Sequence, residues 1–228
     1  MTEVHITSVF SSPRSFIRGR IASGNSTASL LYTSPVSFTL MRKIVQTGDP
    51  VLRAIAKEIP LKDIGSSRIR GIIADMKALL AKEEFGVAIA APQVGESLRM
   101  FVVASKVLVR RRRGAEKPKG GKDTGEAYLE GLSQPEDGVY INPVMVKMSR
   151  EKKTKHEGCL STRGKWGEVP RAEKATVRAY NEKGEKIERG ASGFLSHIFQ
   201  HEMDHLDGIL YTDKATEVYD DESTAKKQ

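Results

Sequence analysis

The chain has 228 residues, 37 Lys and Arg against 29 Asp and Glu, and a formal charge of +8 at pH 7. That length supports a sizeable core in one or two domains, and no apolar run approaches the roughly eighteen residues of a membrane-spanning helix. The single cysteine, Cys159, excludes an internal disulfide and suits a reducing compartment.

Residues 1–40 are rich in serine and threonine, carry Arg14, Arg18 and Arg20, and have one acid, Glu3. The composition is that of an organelle transit peptide. The simpler expectation is an upstream extension, poorly ordered, that adds no motif and no core pattern. Ile69, Ile72, Ile73, Met76, Leu79 and Leu80 recur at helical spacing and predict a helix over Ser67–Lys82, ended near Gly86. The small, apolar run "EEFGVAIAAPQVG" (83–95) follows. Pro92 forces Ala91 toward extended backbone, which leaves Gln93 as a lone amide on a rigid loop. It is either a turn residue bonded to backbone or a donor to a developing oxyanion.

"MFVVASKVLV" (100–109) reads as one buried strand. Residues 110–138 open with the run Arg110–Arg113 and mix glycine, lysine and acids without apolar periodicity. A flexible basic insertion is expected there. Further strands are predicted over 139–145, along the flank of Cys159, and over 175–180. A helix is predicted over Phe194–Leu206, stopped near Gly208. The segment 216–228 is expected to be a disordered tail. Together these give an α+β fold, with mainly antiparallel sheet around a central helix.

That helix carries "HIFQHEMDHLDG" (197–208), with three of the five histidines in nine positions. His197 and His205 lie eight apart, about 12 Å along a helix axis. Metal–imidazole bonds are about 2 Å long. One ion therefore takes at most two of the three. His201-Glu202-Met203-Asp204-His205 is the H-E-x-x-H pattern, in which two histidines grip a metal and the adjacent glutamate takes a proton from the attacking water. His197 is assigned to packing or surface. The H-x-x-G-x-x-H extension of many zinc proteases fails, because position 211 is Tyr211. A third ligand must come from an acid or from upstream. "HEGCLS" (156–161) offers Cys159, whose thiolate binds transition metals, with His156 and Glu157 as rivals. Gly158 permits close backbone approach.

These three stretches resemble the motifs of the peptide deformylase family. They run Gly86-Val-Ala-Ile-Ala-Ala-Pro-Gln93, Glu157-Gly-Cys-Leu-Ser161 and His201-Glu-Met-Asp-His-Leu-Asp-Gly208. The first departs at Ala88, where the family has glycine. Further similarity covers about residues 41–215 less the insertion, and the family's usual start coincides with Met41. The resemblance implies a metal hydrolase that removes the N-formyl group from the N-terminal methionine of new polypeptides. It implies Cys159, His201 and His205 as ligands of one divalent ion, ferrous iron first and zinc, nickel or cobalt as substitutes. It gives Glu202 the proton transfers, and Gln93 with the Leu160 N–H the oxyanion. Gly86, Val87 and Gly158 would line the peptide channel, and Ile198 would receive the methionine side chain. "KWGEVPR" (165–171) is expected to pair with the peptide backbone as an added strand, with Arg171 touching substrate or forming a structural ion pair. The expected partners are N-formylmethionyl nascent peptides and, through the arginine run, the ribosome, with no DNA and no membrane. Bacterial-type cytoplasm is expected, with organelle import the alternative. A metalloprotease, an RNA-binding module with a structural zinc, and an inactive deformylase-like protein are the competing readings.

Overall fold

The computed structural model describes residues 42–108 and 137–221. Residues 1–40, most of the basic insertion and the last seven residues lie outside them. Eight strands and three α-helices are described, beside short 3₁₀ turns: α1 (Ser67–Lys82), β1 (Ala88–Ala90), β2 (Met100–Val103), α2 (Ser105–Leu108), β3 (Gly138–Met148), β4 (Lys152–Cys159), β5 (Thr162–Ala172), β6 (Lys174–Tyr180), β7 (Lys186–Ser192), α3 (Phe194–Leu206) and β8 (Glu217–Asp220). They form a five-stranded sheet in the order β1-β2-β3-β6-β7 and a three-stranded sheet in the order β4-β5-β8. Every strand pairing is antiparallel. The α+β expectation holds.

The period-two alternation of β1 to β3 decides where the helices go. Ile89, Met100, Val102, Val139 and Ile141 join the α1 residues Ile69, Ile72, Ile73, Met76 and Leu80 in one core. The intervening residues Ala88, Ala90, Phe101, Val103 and Tyr140 join Ile198, Phe199, Met203 and Leu206 of α3 in another. The register Ala90↔Phe101↔Tyr140 puts one set on one face, and Ile89↔Val102↔Val139 puts the other set opposite. The sheet is therefore covered by a helix on each face, and its first strands are apolar throughout. Phe101 stacks on Tyr140 at 4.7 Å between ring centroids, and Tyr140 meets Phe199 edge-on at 5.1 Å. Four large apolar side chains of α3 are buried here, each contributing roughly 1.5–3 kcal/mol by area, so α3 is fixed by packing rather than by its own propensity. Helix α1 starts where Ser66 Oγ accepts from the Ile69 N–H at 3.3 Å.

Helix α3 stops at Asp207, and Gly208 follows at φ +72°. A Cβ at Gly208 would lie 2.6 Å from the Arg53 carbonyl oxygen. Gly208→Ala should therefore lower stability by about 1–3 kcal/mol, the cost of a non-glycine residue in left-handed backbone, with the clash added. Urea unfolding would show this, and an unchanged midpoint would mean that the chain does not pass this close to Arg53.

Three sequence expectations are corrected. The strand read over 100–109 ends at Val103, because the Ser105 N–H bonds the Asp137 carboxylate at 2.8 Å and starts α2. Asp137 and Gly138 accordingly belong to the fold, although the insertion was expected to reach 138. The tail expected from 216 contains β8, since Glu217–Asp220 finds the free edge of β5. The flanking bonds Thr216 N–H to Glu168 O and Asp221 N–H to Gly164 O, both 2.8 Å, extend that pairing.

Candidate metal centre

Three segments meet at His201 and His205, in the C-terminal half of α3. The first is the turn Ala91–Val94, a 3₁₀ helix that carries Gln93. The Gln93 Oε1 accepts from the Ala90 N–H at 2.8 Å, which fixes the amide so that Nε2 faces the Cys159–Ser161 hairpin. Nε2 lies 3.3 Å from Cys159 Sγ and 3.3 Å from Ser161 Oγ. The second is the β4–β5 hairpin, whose pairing slips between Glu157 and Cys159. The slip occurs at Gly158, where a Cβ would sit 3.2 Å from the Trp166 ring. The third is α3 itself. The stretch 45–47 laces the first two together, through Val45 N–H to Gln93 O at 2.9 Å, Thr47 N–H to Ser161 O at 2.7 Å, and Gln46 Nε2 to Leu160 O at 3.0 Å.

Cys159, His201 and His205 each offer a ligand atom, and these atoms lie within 4.8 Å of one another. Cys159 Sγ is 3.3 Å from His205 Nε2, and the rings of His201 and His205 meet edge-on at 4.9 Å. The Ser161 N–H points at Cys159 Sγ at 3.4 Å. Among the rivals, His156 is exposed and contacts the Tyr219 hydroxyl at 2.5 Å, so it does not enter the cluster. His197 is buried, with neither ring nitrogen hydrogen-bonded, and stays outside the cluster.

Glu157 does something the sequence did not disclose. The His201 Nδ1–H donates to Glu157 Oε2 at 2.9 Å, leaving the lone pair on Nε2. The Arg171 guanidinium grips the same carboxylate twice, at 2.8 and 2.9 Å, and Asp204 at 2.5 Å. Burial works against the Glu157 anion, but the bonds from Arg171 and His201 prevail and lower it to about 2. Arg171 is 3% exposed. The expectation that it touches substrate is corrected: it is a structural ion pair, because two buried carboxylates demand a cation between them. The added-strand role given to residues 165–171 also fails at Gly167 and Glu168. There β5 is paired with β4 on one side and β8 on the other.

The donor set fits a divalent transition metal. One soft thiolate and two imidazoles leave a position open, as catalytic sites require. His205 is held neutral, its pKa well below the ordinary value, by burial and by the neighbouring His201 and Arg171. Its Nδ1 has no partner among the described residues. For His201, burial is outweighed by Cys159 and Glu157, which raise its pKa. Glu202, beside His201 on α3, is 3% exposed, and its Oε2 is buried without a hydrogen-bond partner among the described residues. Burial raises its carboxyl to about 7, in spite of His201.

Of the residues expected to line a peptide channel, Gly86 is buried against the end of α1, where a Cβ would sit 2.8 Å from that of Glu83. Val87 and Ile198 share the α3-side core. Ala88 turns its methyl into that same core, which accommodates the departure from glycine. The Leu160 side chain packs against the α1-side core.

A sheet-cradled helix that sets His201 and His205 against Cys159 of β4, with a buried glutamate beside them, defines a metallohydrolase. The model of the polypeptide deformylase family matches residues 41–220. The chain is 39% identical to the peptide deformylase of Carboxydothermus hydrogenoformans over 176 residues, 77% of this chain and 94% of that protein. It is 38% identical to peptide deformylase 1A, chloroplastic/mitochondrial, of Arabidopsis thaliana over 75% of this chain and 60% of that protein. The Met-Ala-Ser-bound class I type b peptide deformylase of Acinetobacter baumannii superposes with a TM-score of 0.62 at 30% identity, covering 77% of this chain and 98% of that one. The chain belongs to the polypeptide deformylase family, the enzymes that remove the N-formyl group from newly made polypeptides.

Proposed function

We propose that Cys159, His201 and His205 hold one divalent ion, ferrous iron in the native protein, and that Glu202 moves the protons of deformylation. The reaction hydrolyses the formamide of an N-terminal N-formylmethionine and releases formate. When bound, the ion supplies Lewis acidity toward water and the formyl oxygen. The observation that carries the reading is Glu202, a buried carboxylate next to His201 whose Oε2 has no hydrogen-bond partner among the described residues. It takes the proton of the attacking water and passes it to the departing amine. The Gln93 amide, whose Nε2 faces Cys159, and the Leu160 N–H donate to the oxygen that gains charge.

The peptide has two places to bind in extended form. β1 and β4 are both edge strands of their sheets. The outer edge of β1 and Gly158 of β4 suit strand addition better than Gly167–Glu168 of β5, which are paired on both sides. The Met side chain enters the apolar group around Val87 and Ile198. Among the described residues no helix is long and apolar enough to cross a membrane, and curated relatives include both bacterial and chloroplastic/mitochondrial proteins. We assign this chain to a bacterial-type cytoplasm. Arg110–Arg113, outside the described residues, give a nascent-chain enzyme a basic run for ribosomal RNA.

The test is substrate choice by protein purified anaerobically. Formyl-Met-Ala-Ser should yield formate, while acetyl-Met-Ala-Ser and unformylated internal peptides stay intact. Cleavage of internal peptides without formate release would replace this reading by a metalloprotease.

A further inference from the structure

The Arg171–Glu157–His201 connection does not end at Arg171. Asp204, also on α3, accepts from Arg171 Nη1 at 2.5 Å through Oδ2 and from Lys214 Nζ at 2.6 Å through Oδ1. Glu157, Arg171 and Asp204 expose 8%, 4% and 11% of their side chains, whereas Lys214 exposes 43%. One buried guanidinium thus serves two buried carboxylates, and Lys214 supplies the second positive charge from the surface. We infer that Lys214 is a positioning residue for His201, acting through Asp204, Arg171 and Glu157. The inference rests on His201 being a metal ligand, as proposed above.

The physical argument is competition for Arg171. With Lys214 on Asp204, the guanidinium can place both Nε and Nη2 on Glu157. Glu157 then stays a well-held acceptor for the His201 Nδ1–H and fixes the direction of Nε2. Without Lys214, Asp204 draws Arg171 toward itself and the hold on Glu157 slackens. Lys214 is free for this task because the adjacent carboxylate, Asp213, is already taken by Arg53 and by the Leu210 N–H. The same turn, Tyr211–Asp213, lays the Tyr211 ring along His201 at 6.1 Å with 22° between planes, and the Tyr211 hydroxyl donates to Lys165 O at 3.0 Å. The segment after α3 therefore bears on His201 twice, by a ring contact and by a chain of charges.

Cobalt(II) is the probe. Metal-free protein is titrated with it, thiolate-to-cobalt absorption reports binding, and melting of the metal-free form reports folding. Lys214→Gln should bind cobalt about tenfold more weakly, the lower end of what loss of a ligand-orienting partner costs. Its kcat for formyl-Met-Ala-Ser should fall with KM unchanged. Lys214→Arg, which keeps the charge, should recover affinity to within about threefold. In an Asp204→Asn background, Lys214→Gln should add less than about twofold, since the route is already cut. Unchanged cobalt affinity in Lys214→Gln, no recovery with arginine, or the same tenfold loss in both backgrounds would overturn the inference. If Asp204→Asn fails to fold, the glutamine–arginine comparison decides alone. A missing thiolate band in the unmodified protein would instead refute the ligand set.

Discussion

Glu202→Gln should bind a full complement of metal, melt as the unmodified protein does, and release formate at least about a hundredfold more slowly, within the usual range for loss of a general acid–base group. The expectation follows from where the side chain sits. It is adjacent to His201, buried between α3 and its neighbours, and its Oε2 has no hydrogen-bond partner among the described residues. Burial raises its carboxyl to about 7, so the carboxylate is a better proton acceptor than an exposed glutamate. Glutamine keeps the shape and removes the proton traffic. A hundredfold loss corresponds to about 2.7 kcal/mol of transition-state stabilisation. Loss of metal in this variant would make Glu202 a ligand, and undiminished turnover would leave the proton transfers to some other group.

Arg171→Met should cost about 3–5 kcal/mol of stability, because it leaves two buried carboxylates facing each other without their shared cation. Urea unfolding of the metal-free protein measures it. The same variant separates the two roles that the sequence left open for Arg171. A residue that touched substrate would raise KM and leave the unfolding midpoint alone. A loss below about 1 kcal/mol, the worth of an exposed ion pair, would mean that the Glu157–Arg171–Asp204 group is not sealed from water.

Some of this architecture is legible in the chain and some is not. Helices α1 and α3 match the expected bounds, since each has an apolar face at helical spacing and a clear stop. The pair His201 and His205 is readable for the same reason: four residues is one turn, and spacing along a helix survives folding. Gln93 is readable because proline and small residues leave it as the sole amide of a rigid loop. Glu157 as the partner of His201 is not readable. The bond spans 44 positions, and which face of β4 turns toward α3 depends on a register slip at Gly158 that no local pattern announces. The burial of Arg171 is hidden likewise, because a charged residue in a strand reads as surface until its partners on β4 and α3 are in place. β8 is missed because Val218 and Tyr219, 42% and 37% exposed, sit among acids and pack on one side only. The break at Ala104 is missed because the capping carboxylate, Asp137, lies 32 residues away.

The central claim is that one ion held by Cys159, His201 and His205 is required for hydrolysis. Metal-free protein, prepared anaerobically with a chelator, should be titrated with ferrous iron while formate release from formyl-Met-Ala-Ser is followed. Activity should start at zero, rise in proportion to bound iron, and level off at one ion per chain, with the rise abolished in Cys159→Ser. Formate release by the metal-free protein, or a plateau reached only at two ions per chain, would contradict it.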